Sequence, residues 1–190
     1  MTSDLTAQAA ALRALHRPGT PLVLRNAWDA ASAKALVADA PALATTSVGV
    51  AQSLGYDDGG HIPADEAFAA LARIVAAVDV PVTADCEAGY GLDPHAFVAG
   101  LLGAGAVGCN LEDTDHATGT LRDPGENAAF LAAVKQAGRT VVEHPQATSF
   151  ALCWMTERTM YQHLVQAEPF PSGDLVDALV GIWLRSVYGS

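Results

Sequence analysis

Short apolar runs alternate with longer amphipathic stretches through most of this chain. The short runs predict β-strands over residues 22–24, 42–46, 80–84 and 106–111, with a possible fifth strand at 140–142. The longer stretches predict helices over 6–16, 30–38, 63–77, 125–137 and from Asp93-Pro94 onward. A long loop is expected at 47–62, and another between the fourth strand and Asp123-Pro124. Because near-continuous apolar strands separated by helices are typical of a parallel sheet covered on both faces, we predict an α/β fold.

The alternation stops at about Glu143. A complete (β/α)₈ barrel takes roughly 250 residues, and this chain has 190. We therefore predict a partial TIM-type barrel with about five parallel strands over residues 1–142, followed by a helical tail over 143–190.

The tail reads as two amphipathic helices, 149–165 and 174–188. One face of the second helix is apolar over several turns, and such a face is normally buried against the same molecule or a second copy. We therefore expect a dimerisation segment and favour a homodimer. The apolar positions are Leu175, Leu179, Ile182, Trp183 and Val187.

Composition narrows the classes of partner. The chain is 51% hydrophobic with a formal net charge of −11, which argues against binding to nucleic acid or to an anionic membrane. No apolar run is long enough to span a membrane, and no basic segment followed by an apolar one opens the sequence. The three cysteines are an odd number, show no close pairing in the sequence and lie among apolar neighbours. We expect reduced thiols and a cytoplasmic location.

Acidic residues gather where the predicted strands end. They are Asp58, Asp85, Glu87, Glu112 and Asp113. Since side chains alternate along a strand, Asp85 and Glu87 are expected to share a face, where their charges would repel without a cation between them. Mg²⁺ takes one or two carboxylates and leaves its other positions to water and substrate, so the pattern predicts a Mg²⁺ site.

Other polar positions have more ordinary interpretations. Asp57, Asp93 and Asp123 are expected to be helix caps or solvated residues. The histidines His61, His116 and His144 lie in predicted loops, where one could be a general acid or base, although a surface histidine is the commoner case. The sequence 103–108 spells G-x-G-x-x-G, but it ends a helix and begins a strand, the reverse of a dinucleotide-binding site.

Five ordered motifs resemble the phosphoenolpyruvate mutase/isocitrate lyase superfamily over roughly residues 5–138. They are Asn26-Ala27-Trp28-Asp29-Ala30, Thr45-Thr46-Ser47-Val48-Gly49-Val50-Ala51, Ser53-Leu54-Gly55-Tyr56-Asp57-Asp58-Gly59, Asp85-Cys86-Glu87-Ala88-Gly89-Tyr90-Gly91 and Asn110-Leu111-Glu112-Asp113. The fourth is similar to the D-x-[DE]-x-G-[YF]-G metal strand of that superfamily, and the fifth to its N-[LI]-E-D element.

The resemblance implies a Mg²⁺-dependent barrel enzyme that holds a small 2-oxo or 2-hydroxy carboxylate, or a phosphonate. Such an enzyme breaks or rearranges a C–C or P–C bond through an enolate. By position, Asp85 resembles the direct metal ligand, and Glu87 and Glu112 resemble the residues that hold metal-bound water. Thr46, Ser47 and Gly49 resemble the loop that binds the substrate carboxylate, and Asp85 also resembles a substrate-binding residue. Asp58 and Glu112 resemble catalytic acids.

Two departures keep an alternative open. The loop that carries a catalytic Cys in lyases of the superfamily is here 114–121, which contains none, so a decarboxylase or a P–C hydrolase fits better than isocitrate-lyase-type cleavage. The fifth strand lacks the expected Asn-Ala-Arg-Thr-Asp element. The alternative is a catalytically inactive, truncated or fused barrel that acts as a binding or dimerisation protein. Its tail, about 147–189, resembles the C-terminal helices of TetR-type regulators.

Overall fold

Four short parallel strands form the centre of the computed structural model, which describes residues 5–17, 21–59 and 61–141. They lie in the order β1-β2-β3-β4, so each strand pairs with its neighbour in sequence. Register is set by pairs such as Ala27 with Thr45 and Asp85 with Asn110. The strands are β1 (Arg25–Ala27), β2 (Leu43–Thr45), β3 (Val82–Asp85) and β4 (Gly108–Asn110).

Helices connect and flank these strands, and a two-stranded antiparallel hairpin follows β4. The helices are α1 (Leu5–Leu15), α2 (Ala30–Leu36), α3 (Ser47–Ser53), α4 (Ala64–Val75), α5 (Pro94–Gly103) and α6 (Pro124–Val141). The hairpin consists of β5 (Thr114–Asp115) and β6 (Thr120–Leu121). Parallel strands joined by helices confirm the predicted α/β class.

Side-chain caps fix where two of the helices begin. Asp29 accepts a hydrogen bond from the backbone N–H of Ser32, whose hydroxyl accepts from the N–H of Asp29, so the pair forms a capping box on α2. Asp93 accepts from the N–H groups of His95 and Ala96 at the start of α5, with Pro94 at the first helical position. Asp93 is therefore the helix cap that the sequence predicts.

The core lies between the sheet and the helices that cover it. Leu43 and Val82 on the strands pack with Ile74 of α4 and Phe97 of α5, and all four are buried. Burial of apolar area of this kind is the main favourable contribution to folding. The core holds the strands rigidly, so that side chains at the ends of β3 and β4 are presented from a fixed frame.

An aromatic contact links this core to the end of β3. The ring of Phe68 lies so close to Gly100 that a side chain at position 100 would collide with it. Phe68 in turn meets Tyr90 edge-on, with ring centroids 5.8 Å apart. Tyr90 follows the turn after β3, and this contact anchors that turn to α4 and α5.

Three expectations about element positions are wrong. The first strand begins at Arg25 and not at residue 22, because Leu22 and Leu24 pack with Leu12 of α1 instead of joining the sheet. The segment expected to be a long loop, 47–62, opens with α3. The expected loop after β4 contains the β5–β6 hairpin.

The C-terminal side of the described region also differs from the expectation. Residues 140 and 141, predicted to open a fifth strand, continue α6. The apolar residues Phe130, Val134 and Ala137 recur at helical spacing against the core, which favours the longer helix. Val142, the tail 143–190 and its apolar stripe lie outside the described residues. Within the described part of the chain, no helix is long and apolar enough to cross a membrane.

Candidate active site

Asp85, the last residue of β3, is fixed by residues at the end of the neighbouring strand β2 and at the start of α3. Its Oδ2 accepts two hydrogen bonds from Ser47, one from the backbone N–H and one from the hydroxyl, each 2.9 Å long. The Asp85 backbone N–H donates to Oγ1 of Thr45, also at 2.9 Å. Hydrogen bonds to a carboxylate are stronger than neutral ones, so the Asp85 side chain is held in one orientation at the carboxyl end of the sheet.

Glu87 does not lie on the strand face that the sequence predicted for it. The strand ends at Asp85, and Glu87 sits in a turn with a φ of 47°, the left-handed region that side chains rarely adopt. Its side chain is only 2% exposed. The expectation that Asp85 and Glu87 share a strand face is therefore wrong, because the chain turns at Glu87 before a second alternation is complete.

This turn is held against the end of β4. The Glu112 N–H donates to the Glu87 carbonyl oxygen at 2.6 Å, and the Gly89 N–H closes the turn on the carbonyl of Cys86. A non-glycine residue in a left-handed conformation costs of order 1–3 kcal/mol and persists only where its surroundings fix it. Such positions are concentrated at functional sites. The backbone conformation of Glu87 therefore supports a functional role for this residue more strongly than its position in the sequence does.

His116 lies between the two glutamates. Its Nε2 is 3.7 Å from Oε2 of Glu112 and 4.0 Å from Oε2 of Glu87. The His116 side chain is 21% exposed, and its Nε2 is inaccessible to solvent. The commoner expectation of a surface histidine is wrong here. The four-residue spacing from Glu112 was the one available signal, since the contact with Glu87 arises only from folding.

Thr46 and Gly49, predicted to bind a substrate carboxylate, lie together at the start of α3. A Cβ on Gly49 would meet Cγ2 of Thr46 at 2.8 Å and Cβ of Trp28 at 2.9 Å, so only glycine fits there. Thr46 is the N-terminal cap residue of α3, yet its hydroxyl makes no capping hydrogen bond. That leaves the Thr46 hydroxyl available to a ligand.

Asp58 is exposed and lies in the loop after α3. Its loop approaches the glutamates through His116, because a Cβ on Gly59 would lie 3.8 Å from Nδ1 of His116. Asp113, beside Glu112, accepts a backbone hydrogen bond from Arg122 across the hairpin.

Two weak acids beneath the site remain protonated. Burial raises the pKa of the Cys86 thiol, with the nearby Cys109 and Asp85 adding to the rise. Burial also raises the pKa of the Tyr90 phenol, with further contributions from Cys86 and the carboxylates of Glu87 and Asp85. Burial therefore keeps both groups neutral near neutral pH, beside the carboxylates of Asp85 and Glu87.

A cavity of about 10 Å³ is lined by Asp85 and Glu87, together with residues that include Thr45, Ser47 and Tyr90. A single water needs roughly 10–15 Å³. This cavity therefore has room for about one water and not for a substrate.

The carboxylate oxygens of Asp85, Glu87 and Glu112 fit the Mg²⁺ ion that the sequence predicts, provided that water supplies the remaining ligands. Over the residues that are described, no group of three or more His, Cys, Asp and Glu side chains is gathered closely enough to hold a metal directly. Mg²⁺ usually keeps several waters and uses one or two carboxylates. Asp85, with one oxygen committed to Ser47, suits a direct ligand, and the buried Glu87 with Glu112 suits residues that bind the ion's water.

Comparison with known proteins gives two family matches. The family described as phosphoenolpyruvate phosphomutase matches residues 12–143. The C-terminal domain of the transcriptional regulator EthR matches residues 125–189, which is consistent with the TetR-type resemblance of the tail.

Individual relatives agree with the first match. An uncharacterized protein of Mycobacterium tuberculosis is 37% identical over 139 residues, which are 73% of this chain and 53% of that protein. A solved structure from Burkholderia cenocepacia J2315, named as a phosphonomutase, is 47% identical with a TM-score of 0.68, over 72% of this chain and 58% of that one. The crystal structure of 2,3-dimethylmalate lyase is 26% identical with a TM-score of 0.64, and the match covers 76% of this chain and 51% of that one. The chain thus spans about half the length of the curated relatives it matches.

Proposed function

Because this chain belongs to the phosphoenolpyruvate phosphomutase family, we propose that it is a Mg²⁺-dependent enzyme acting on a small 2-oxo or 2-hydroxy carboxylate. The reaction is cleavage or rearrangement of a C–C or P–C bond through an enolate. The family match and the similarity to a phosphonomutase and a dimethylmalate lyase support this reaction class.

The observation that carries the proposal is the pair of hydrogen bonds from Ser47 to Oδ2 of Asp85. They hold a carboxylate at the carboxyl end of a parallel strand, which is where enzymes with this architecture keep their chemistry. Glu87 and Glu112 lie on the next turn and the next strand end, linked by a backbone hydrogen bond of 2.6 Å. Three carboxylates thus come from two adjacent strands.

In this proposal Asp85 is the direct ligand of Mg²⁺, and Glu87 and Glu112 bind its water. The ion, when bound, polarises the carboxylate and oxo oxygens of the substrate and stabilises the negative charge of an enolate. Ser47 uses both of its donors on Asp85, so we assign it to orienting that ligand. The Thr46 hydroxyl and the backbone around Gly49 then meet the substrate carboxylate.

Asp58 is the proposed acid–base residue outside the metal set. Its carboxylate is exposed, and Gly59 places its loop beside His116. Glu112, at the end of β4, is the second proposed catalytic carboxylate. A proton can be moved only by a group within hydrogen-bond reach of the reacting atom, and such contacts often tighten only with substrate bound.

Turnover of candidate substrates tests the proposal. The parent chain with Mg²⁺ is offered oxaloacetate, phosphonopyruvate, 2-methylisocitrate and 2,3-dimethylmalate, and products are followed by ¹H and ³¹P NMR. We expect one of them to react with the parent, and the product to be lost in Asp85→Asn. The matched control is Asp79→Asn, which changes an exposed carboxylate just before β3, at the opposite end of the strand. Reaction of none of the four would favour the non-catalytic alternative.

A further inference from the structure

We propose that His116 is a positioning residue, which keeps Glu87 and Glu112 converged and seats the loop of Asp58 beside them. This inference rests on the proposed function, since the carboxylates it positions are the proposed metal-binding ones. Nothing in the five motifs of the sequence assigns a role to His116.

Geometry places this imidazole where three separate segments meet. Nε2 faces Oε2 of Glu112 at 3.7 Å and Oε2 of Glu87 at 4.0 Å, while Nδ1 lies beside Gly59. These segments are the turn after β3, the end of β4 and the loop after α3. A single side chain thus contacts all the elements that carry the proposed acids other than Asp85.

The distances indicate what kind of contact this is. Both distances from Nε2 exceed the length of a direct hydrogen bond, so Nε2 contacts the two carboxylates through a longer electrostatic interaction or through a bridging water. One imidazole N–H can serve only one oxygen at a time, whereas both carboxylates lie at nearly equal range. An imidazole that lies between two carboxylates in this way can hold them near each other without itself binding the metal ion.

The hairpin that carries His116 is itself well defined. Oδ1 of Asp115 accepts from the Ala117 N–H at 2.9 Å, and the Asp115 carbonyl accepts from the N–H of Gly119 at 2.8 Å. These turn hydrogen bonds fix the backbone on both sides of His116 while residues 117–121 stay exposed. The hairpin therefore presents His116 inward from a rigid support.

The test compares His116→Ala with His116→Gln, because glutamine keeps an N–H donor of similar reach. Binding of Mn²⁺, a spectroscopic substitute for Mg²⁺, is followed by the electron paramagnetic resonance signal of the free ion. Removing a residue that orients metal-binding groups typically costs roughly 10–100-fold in metal affinity. We expect a loss of at least about 10-fold for His116→Ala and a return to within about 3-fold of the parent for His116→Gln. The control is His95→Gln, which changes an exposed histidine on α5.

A second readout separates this inference from the proposed function. Amide hydrogen exchange at Asp58 and Gly59, measured without metal, is expected to be at least several-fold faster in His116→Ala than in the parent. Parent-like Mn²⁺ affinity in His116→Ala would overturn the positioning role and leave the proposed function standing. If the parent itself binds no Mn²⁺, the proposed function fails, and the exchange rates alone decide whether His116 positions the loop. Unchanged exchange in that case overturns the inference as well.

Discussion

Ser47 donates both its backbone N–H and its hydroxyl to the same oxygen of Asp85, at 2.9 Å each. The two residues are 38 positions apart in the chain, and they meet because β2 and β3 are adjacent parallel strands. The hydroxyl is the part of this contact that mutation can remove while the backbone donor stays.

Ser47→Ala is therefore expected to weaken the binding of Mg²⁺ together with oxalate, a mimic of an enolate, without abolishing it. A hydrogen bond to a charged group is worth about 1.5–3 kcal/mol, which corresponds to roughly a 10–100-fold loss of affinity if the whole effect falls on the orientation of Asp85. Titration calorimetry measures it. Ser53→Ala is the control, since that hydroxyl donates to the backbone carbonyls of Val50 and Trp28. Equal affinities for Ser47→Ala and the parent would contradict the orienting role.

Gly49→Ala is expected to destabilise the fold. The new Cβ would meet Thr46 and Trp28 at less than 3 Å, and overpacking of this kind typically costs about 1–3 kcal/mol. The free energy of unfolding, from urea titration, should fall by that amount. Gly103→Ala, at the end of α5, meets nothing within 4 Å among residues 5–17, 21–59 and 61–141, and should be neutral or slightly stabilising. A parent-like free energy of unfolding for Gly49→Ala would show that α3 can move to accommodate the new side chain.

Asp93→Ala should lower the free energy of unfolding by about 1 kcal/mol, because the cap of α5 is lost. Asp93→Asn keeps an acceptor and should recover most of this. Neither change should affect the binding of Mg²⁺ with oxalate, since Asp93 accepts its hydrogen bonds from the N–H groups at the start of α5. A loss of Mg²⁺ affinity in Asp93→Asn would mean that the sequence-based assignment of this acid to a cap is incomplete.

Stability should decline with rising pH above about 9 because of the buried thiols. Burial raises the pKa of Cys109 from its ordinary 9.0 to about 12, and that of Cys86 also rises. Between these values the unfolded chain loses the thiol proton first, so the folded state becomes less stable as pH increases. The loss is about 1.4 kcal/mol per pH unit for each thiol.

Urea unfolding at pH 8, 9.5 and 10.5 gives this slope directly. Cys109→Ala should show a smaller decline than the parent between pH 9.5 and 10.5, whatever its stability at pH 8. Identical slopes in the two proteins would mean that the Cys109 thiol is not buried in solution.

The sequence predicted those parts of the fold that depend on local pattern. The alternation of strand and helix, the cap at Asp93 and the reversed glycine motif at 103–108 follow from residue order alone, and the structure confirms them. α3 was missed because its cap, Thr46, makes no side-chain hydrogen bond and the helix is only 7 residues long. Residues 140–141 were misassigned because a short β-branched pair carries less weight than the apolar face of α6, which extends the helix.

The sequence predicted which acidic residues belong to the candidate site but not how they are arranged. Asp85 and Glu112 follow strands, as the pattern indicated. The turn at Glu87 could not be foreseen, because its left-handed backbone depends on a contact with Glu112 from another strand. His116 was named only as one of three loop histidines, and its position between the glutamates was not predicted for the same reason, since Glu87 and Gly59 reach it only through the tertiary fold.

The proposed division into a barrel segment, 1–142, and a dimerising tail, 143–190, is independent of the site chemistry and remains a prediction. It places the boundary at the end of α6, which lies within both family matches.

The most direct test of the proposed Mg²⁺ site at Asp85 is titration calorimetry of oxalate, with and without Mg²⁺, into the parent and into Asp85→Asn. The proposed site predicts measurable heat from oxalate binding to the parent only when Mg²⁺ is present, no such heat with Asp85→Asn, and parent-like heat with Asp79→Asn. Heat that is equal in Asp85→Asn and the parent, or no heat with a folded parent chain, would contradict it.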